Sequence, residues 1–243
     1  MHHAYPILKK HEIPFTIYIT TDFPDKKAIL WWNHLEDLVM NQESVKFTVN
    51  NIEHSFMALT SDQKTKAFKA IATIIKGGDA AKRNDRLTQI FKNTNINPFN
   101  GIQTLALSWD EIRQLHHDPL VTIGSHTVTH PTLSMLTDND ASDEINHAKN
   151  RLEEELSSKI EHFAYPFGGF TEIGSREVGI VKTAGITTAV TTFSANTFKA
   201  HASKLHTLPR IAIGMSMNKD TLDLIRYGII PCIRNNGKRI VTI

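Results

Sequence analysis

Apolar and polar positions divide the chain into short strands and amphipathic helices. Residues 4–10 read as the end of a helix, and Ile13-Pro14 closes it. Residues 15–20, Phe-Thr-Ile-Tyr-Ile-Thr, concentrate β-branched and aromatic side chains and read as a strand. A helix followed at once by a strand is the second half of a β-α-β unit. The sequence therefore opens inside such a unit, and its sheet is expected to lack a first strand.

Residues 31–40 carry Trp31, Trp32, Leu35, Leu38 and Val39 at helical spacing. Residues 45–49 and 54–59 read as two strands joined through a turn at Asn50-Asn51. A helix over 61–76 starts at Ser61 or Asp62, presents Ala67, Phe68, Ile71, Ile74 and Ile75 on one face, and stops at Gly77-Gly78. A further helix is expected at 86–91 and an Asn-rich loop at 93–101. Regular β-α alternation then resumes. Ser108 and Glu111 have the spacing of a capping box for a helix over 108–116. Strands are expected at 120–123, 162–165, 187–192 and within 204–213, and helices at 143–156, 176–183 and 220–226. Residues 31–107 thus read as an α+β insertion in one α/β domain spanning 1–243, with no internal repeat.

Composition narrows the function classes. With 243 residues, 40% of them hydrophobic, the chain can bury one large core or a core plus an insertion. A net charge of +2 makes no electrostatic case for nucleic acid or an anionic membrane, and Arg234, Lys238 and Arg239 read as a solvated tail. The lone Cys232 excludes an internal disulfide framework and a cysteine-rich zinc site. No apolar run reaches the roughly 18 residues of a membrane span, and the first residues show no leader pattern. A cytoplasmic location is the expectation, or export if the true start lies upstream.

Thirteen histidines are present, so their clustering matters. The segment Gly124-Ser125-His126-Thr127-Val128-Thr129-His130-Pro131 directly follows a predicted strand. Two histidines four apart can share one helical turn and pinch a single cation. Their place at the C-terminal end of a strand is where α/β barrels put active sites. Two unrelated surface histidines would be the plainer account of the spacing alone.

His-Thr-x-x-His between Gly-Ser and Pro-Thr-Leu resembles the second motif of the polysaccharide deacetylases, carbohydrate esterase family 4. Residues 4–10 and 13–16 resemble that family's first helix and second strand. Phe163-Ala164-Tyr165-Pro166-Phe167-Gly168-Gly169 resembles its third motif. Leu208-Pro209-Arg210-Ile211 and residues 21–32 resemble segments of members linked to surface polysaccharides. The resemblance implies a distorted (β/α) barrel holding one divalent metal, zinc above all, with His126 and His130 as two of three protein ligands. The third would be an Asp of a Thr-Phe-Asp-Asp-Gly motif whose other Asp is the general base. Phe167 falls where a backbone oxyanion donor is expected; the alternative for Tyr165-Pro166-Phe167-Gly168 is a strand end and turn packed on the core.

Three departures qualify the resemblance. No Asp-Asp pair occurs in these residues, and the motif should precede the first helix; neither Asp22 nor Asp25 fits it, and His2 and His3 are no evident substitutes. Ala164 stands where many members have Arg. Arg210 stands where a general-acid His is common; it cannot act as an acid near neutrality, so it would stabilise an anion, orient substrate or make a structural ion pair. His206 falls outside the matched position. Trp31 and Trp32 read either as a sugar-stacking wall or as the apolar face of a helix. His116-His117 suits a helix end, and Asp138 and Asp140 suit a helix start.

The function expected is a metal-dependent hydrolase that removes acetyl groups from a bacterial surface carbohydrate, impaired here for want of the Asp motif. The alternative is a non-catalytic carbohydrate-binding or interaction protein on the same fold. The implied partner is an acetylated polysaccharide or oligosaccharide, and an exposed sheet edge suggests a homodimer.

Overall fold

The computed structural model describes residues 3–77, 82–99, 106–214 and 217–243. His2, Gly78 and the end of the Asn-rich loop lie outside them. The chain divides into two compact units, one of Met1–Asp22 with Leu107–Ile243, the other of Phe23–Ala106.

In the first unit, α1 (Ala4–Lys10) leads into β1 (Phe15–Ile19). After α5 (Trp109–His116) come β4 (Val121–Ser125), α6 (Asp138–Leu156), β5 (His162–Ala164), α7 (Ser175–Thr183) and β6 (Thr188–Val190). Helices between successive strands force the strands to run parallel. The sheet order is β1-β4-β5-β6, with Tyr18 opposite Gly124 and Ile19 opposite Ser125. This is the α/β class expected. Among the described residues the sheet stays open, with β1 and β6 as outer strands.

The core follows from the helix faces. Ile112 and Leu115 of α5 and Leu152 of α6 pack with Val121 and Ile123. Ile145 of α6 and Val181 of α7 pack with Phe163, Tyr165 and Ala189. The expected capping box forms, with Glu111 N–H donating to Ser108 Oγ at 3.2 Å and Ser108 N–H to Glu111 Oε2 at 2.9 Å.

Three expectations change. Helix α6 starts at Asp138, ahead of residue 143 but in keeping with Asp138 and Asp140 as helix-start residues, because Thr137 caps it by accepting from Asp140 N–H at 3.2 Å. No full strand forms in 204–213. Turns of 3₁₀ helix occupy Lys199–Ser203 and Leu205–Thr207, and Leu208 makes one parallel bridge to Val190. Pro209, lacking an N–H, cannot extend that ladder. After α8 (Lys219–Arg226), Gly228 at φ 76° turns the chain into an unanticipated short helix, α9 (Ile229–Arg234).

The second unit holds α2 (Trp31–Met40), a hairpin of β2 (Ser44–Val49) and β3 (Ile52–Met57), α3 (Ser61–Lys76) and α4 (Arg83–Phe91). Asn50 and Asn51, at φ 52° and 64°, form its two-residue turn, a conformation Asn tolerates. Leu35, Leu38, Ile71, Ile75, Leu87 and Ile90 meet Val45 and Phe47 in a core of their own. Trp31 is buried in that core, and the partly buried Trp32 packs against it with its ring edge-on to Trp31, as in the apolar-helix-face alternative.

Candidate functional site

At the C-terminal end of β4 the chain leaves the sheet through His126–His130. The two imidazoles lie together, their ring centroids 4.7 Å apart and their planes at 81°. A tight loop brings them there, not the shared helical turn expected from their spacing. Thr127 and His130 hold left-handed backbone at φ 67° and 59°, an uncommon conformation for any residue with a Cβ and more so for β-branched Thr. The fully buried Thr127 hydroxyl donates to the His126 carbonyl at 2.5 Å and accepts from His130 N–H at 3.1 Å, tying one histidine's backbone to the other's.

The segment after β1 continues the pairing along this loop. His126 N–H donates to the Ile19 carbonyl, Thr21 N–H to the Thr127 carbonyl and Asp22 N–H to the Val128 carbonyl, at 2.9, 3.2 and 3.0 Å. On the other side stands Glu144 of α6, a residue the sequence did not single out. Its Oε2 accepts from Val128 N–H and Thr129 N–H, each at 2.9 Å, and its Oε1 accepts from the Thr129 hydroxyl at 2.7 Å.

The His126 ring has one forced protonation pattern. Its Nδ1 lies 2.6 Å from the Ala164 carbonyl, which can only accept, so Nδ1 carries the proton and Nε2 the lone pair. Burial pushes the ring's pKa down to about 4, partly opposed by the Ala164 carbonyl and helped by the nearby positive charge of Arg210. The imidazole is therefore neutral near pH 7.

Phe167 and Arg210 complete the neighbourhood. Phe167, also left-handed at φ 61°, sets its ring edge-on to His130 with centroids 4.9 Å apart. Its carbonyl accepts from the Thr192 hydroxyl at 2.9 Å. Arg210 Nε donates to the Thr191 carbonyl at 2.7 Å, and the guanidinium lies 6.0 Å from the centre of the Tyr18 ring. Burial lowers the pKa of Arg210 and raises that of Tyr18, the latter partly offset by the arginine's charge. The four residues expected at the site, His126, His130, Phe167 and Arg210, thus share one region at the strand ends of the first unit.

The family model for polysaccharide deacetylase matches residues 1–189, most of the chain and all of this loop. The chain belongs to the polysaccharide deacetylase family. No curated protein matches it. Among solved structures it is similar to a de-N-acetylase from Aggregatibacter actinomycetemcomitans, at 14% identity and TM-score 0.49, over 92% of this chain and 69% of that one. It is similar to IcaB from Ammonifex degensii at 16% identity and TM-score 0.45, over 95% and 65% respectively. A Streptococcus pyogenes deacetylase solved with acetate matches at 22% identity and TM-score 0.45 over 51% of this chain. The chain spans about half, 53%, of that protein's length.

In this deacetylase-family chain the imidazole pair fits part of a divalent cation's donor set. A ligating histidine commonly donates its second ring nitrogen to a carbonyl, as His126 does to Ala164. The buried hydroxyl of Ser125, next in the chain to His126, has no hydrogen-bond partner. Among the described residues no group of three or more His, Cys, Asp or Glu side chains is placed to hold a metal. Several other candidates lie away from this loop, while Asp22 stays beside it through its backbone. His206 Nε2 donates to the Ile186 carbonyl at 2.8 Å. Asp138 and Asp140 sit in the first turn of α6, and His116 ends α5. His3 occupies the N-cap of α1 and is exposed. The signal for Glu144 lay in the helix pattern: it precedes buried Ile145 and follows Ala141, so it lies beside the face that α6 buries.

Proposed function

We propose that this chain is the histidine-bearing part of a metal-dependent hydrolase that removes acetyl groups from a bacterial surface carbohydrate. The observation that carries the reading is the His126–His130 pair, 4.7 Å between ring centroids, with His126 held neutral and its Nε2 bearing the lone pair. His126 and His130 would hold a divalent cation, zinc by the chemistry of neutral imidazole donors. Such an ion, when bound, lowers the pKa of water and polarises a carbonyl. Arg210 would orient the sugar or face developing negative charge from beside Tyr18. Phe167 would shape the loop against His130 and present its backbone to the acetyl oxygen.

These residues contain no Asp-Asp pair, so on this reading the family's third ligand and general base would be missing from them. We expect weak zinc binding and little acetate release from acetylated chito-oligomers. The second unit is read as an insertion in one deacetylase domain. As the outer strand, β1 would serve as the edge through which two copies pair.

The experiment measures zinc affinity by chelator competition and acetate release, in the wild type and in His126→Ala. Weak binding that is lost in the variant supports the reading. Equal zinc binding in both would reject the site. Robust turnover would mean that another residue serves as the base. Sugar binding without zinc or turnover would favour the non-catalytic alternative.

A further inference from the structure

On its α6 side the segment joining the two histidines is held by one side chain. Glu144 engages Val128 and Thr129, midway between His126 and His130, through three hydrogen bonds of 2.7–2.9 Å. We propose that Glu144 is a positioning residue, whose carboxylate sets the spacing of the two imidazoles and so the affinity of the pair for a divalent cation. The proposal rests on the metal reading of His126 and His130.

The geometry calls for a carboxylate. All three partners are donors, and an ionised carboxylate is acceptor-only with two oxygens, so both can be used at once. A Gln amide in the same place turns an NH₂ toward either the two backbone N–H groups or the hydroxyl. An Asp is one methylene shorter. The loop also needs an external anchor, because Thr127 and His130, on either side of the contact, both hold left-handed backbone. Such conformations persist where the surroundings over-determine them. The helix supplying the anchor is itself fixed, since Ala141, Ile145 and Ala148 beside Glu144 are buried. Without the carboxylate the loop keeps its pairing to Thr21 and Asp22 but loses its anchor on the α6 side, so the separation of the rings is less closely fixed.

The test compares wild type with Glu144→Gln, Glu144→Ala, His126→Ala and Glu154→Gln. Glu154 is exposed on the same helix and serves as the control. Zinc affinity is read by chelator competition. Exchange of the Val128 and Thr129 amides is read by NMR in the metal-free protein, alongside its melting temperature. The expected result is a loss of roughly 10–100-fold in zinc affinity for Glu144→Gln, the range found for outer-shell partners of metal ligands. It is accompanied by faster exchange at Val128 and Thr129 and an unchanged helical signal, while Glu154→Gln matches wild type. Unchanged zinc affinity in Glu144→Gln, with His126→Ala abolishing binding, would overturn the role of Glu144 and leave the metal reading standing. Zinc binding that survives His126→Ala would overturn the metal reading and this proposal with it. Should the Glu144 variants fail to fold, Thr129→Val deletes only the hydroxyl contact. It is expected to weaken zinc several-fold, and no change there would equally overturn the proposal.

Discussion

Gly124, two residues before His126, offers a sharp test of how the strand end is built. It sits opposite Tyr18 in the β1–β4 register. A Cβ placed there would lie 2.6 and 2.7 Å from Tyr18 Cδ1 and Cε1, and 2.9 Å from the His162 carbonyl oxygen. Ordinary carbon contacts begin near 3.5 Å, so Gly124→Ala overlaps the ring by close to 1 Å. The ring can swing, but the His162 carbonyl belongs to β5 and yields less. Overpacking of this kind costs about 1–3 kcal/mol, which for a protein of this size lowers the melting temperature by roughly 2–4 °C per kcal/mol. The assay is urea unfolding of wild type, Gly124→Ala, Tyr18→Ala and the double variant. Removing the ring should recover part of the alanine's cost, giving a coupling of about 1 kcal/mol, while the clash with the carbonyl persists. A Gly124→Ala variant as stable as wild type, or a double variant with no coupling, would refute the claim that ring packing selects glycine here.

Other outcomes follow from the same contacts. In the metal-free protein His126 has a folded-state pKa of about 4, below its ordinary 6.5. The unfolded chain therefore takes up the proton first, and stability that is full above about pH 6.5 is lost as the pH falls toward 4. Because His126 keeps some contact with solvent, we expect about 1–3 kcal/mol of acid destabilisation. His126→Gln should flatten that part of the pH profile, and parallel profiles would contradict it. In the second unit, Thr60→Ala removes the acceptor for Gln63 N–H and half of a capping box. It should cost about 1 kcal/mol, read as faster amide exchange in the first turn of α3.

The fold was legible wherever period and punctuation agreed. Residues 31–40 and 61–76 matched their helices because apolar spacing and stop signals coincide. The capping box at Ser108 was visible as two residues at fixed spacing. Residues 204–213 looked strand-like from Leu208 and Ile211, yet Pro209 stops the ladder after one bridge. The histidine spacing pointed to a shared location, but its geometry comes from left-handed angles at Thr127 and His130, for which the sequence offered no glycine as a marker. Glu144 was hidden in part, for a related reason. Its place beside the buried face of α6 was legible, but its partners, two backbone N–H groups and a hydroxyl, were not.

The pairing of β1 with β4 joins residues 15–19 to residues 121–125. Closing a loop of that size costs roughly 4 kcal/mol of chain entropy, whereas the β2–β3 hairpin closes over a two-residue turn. Contacts between sequence-distant segments form slowly. The Thr20–Asp22 side of the histidine loop thus depends on the more costly of the two closures, so a loss of β1–β4 pairing would leave the imidazoles on an unsupported strand end.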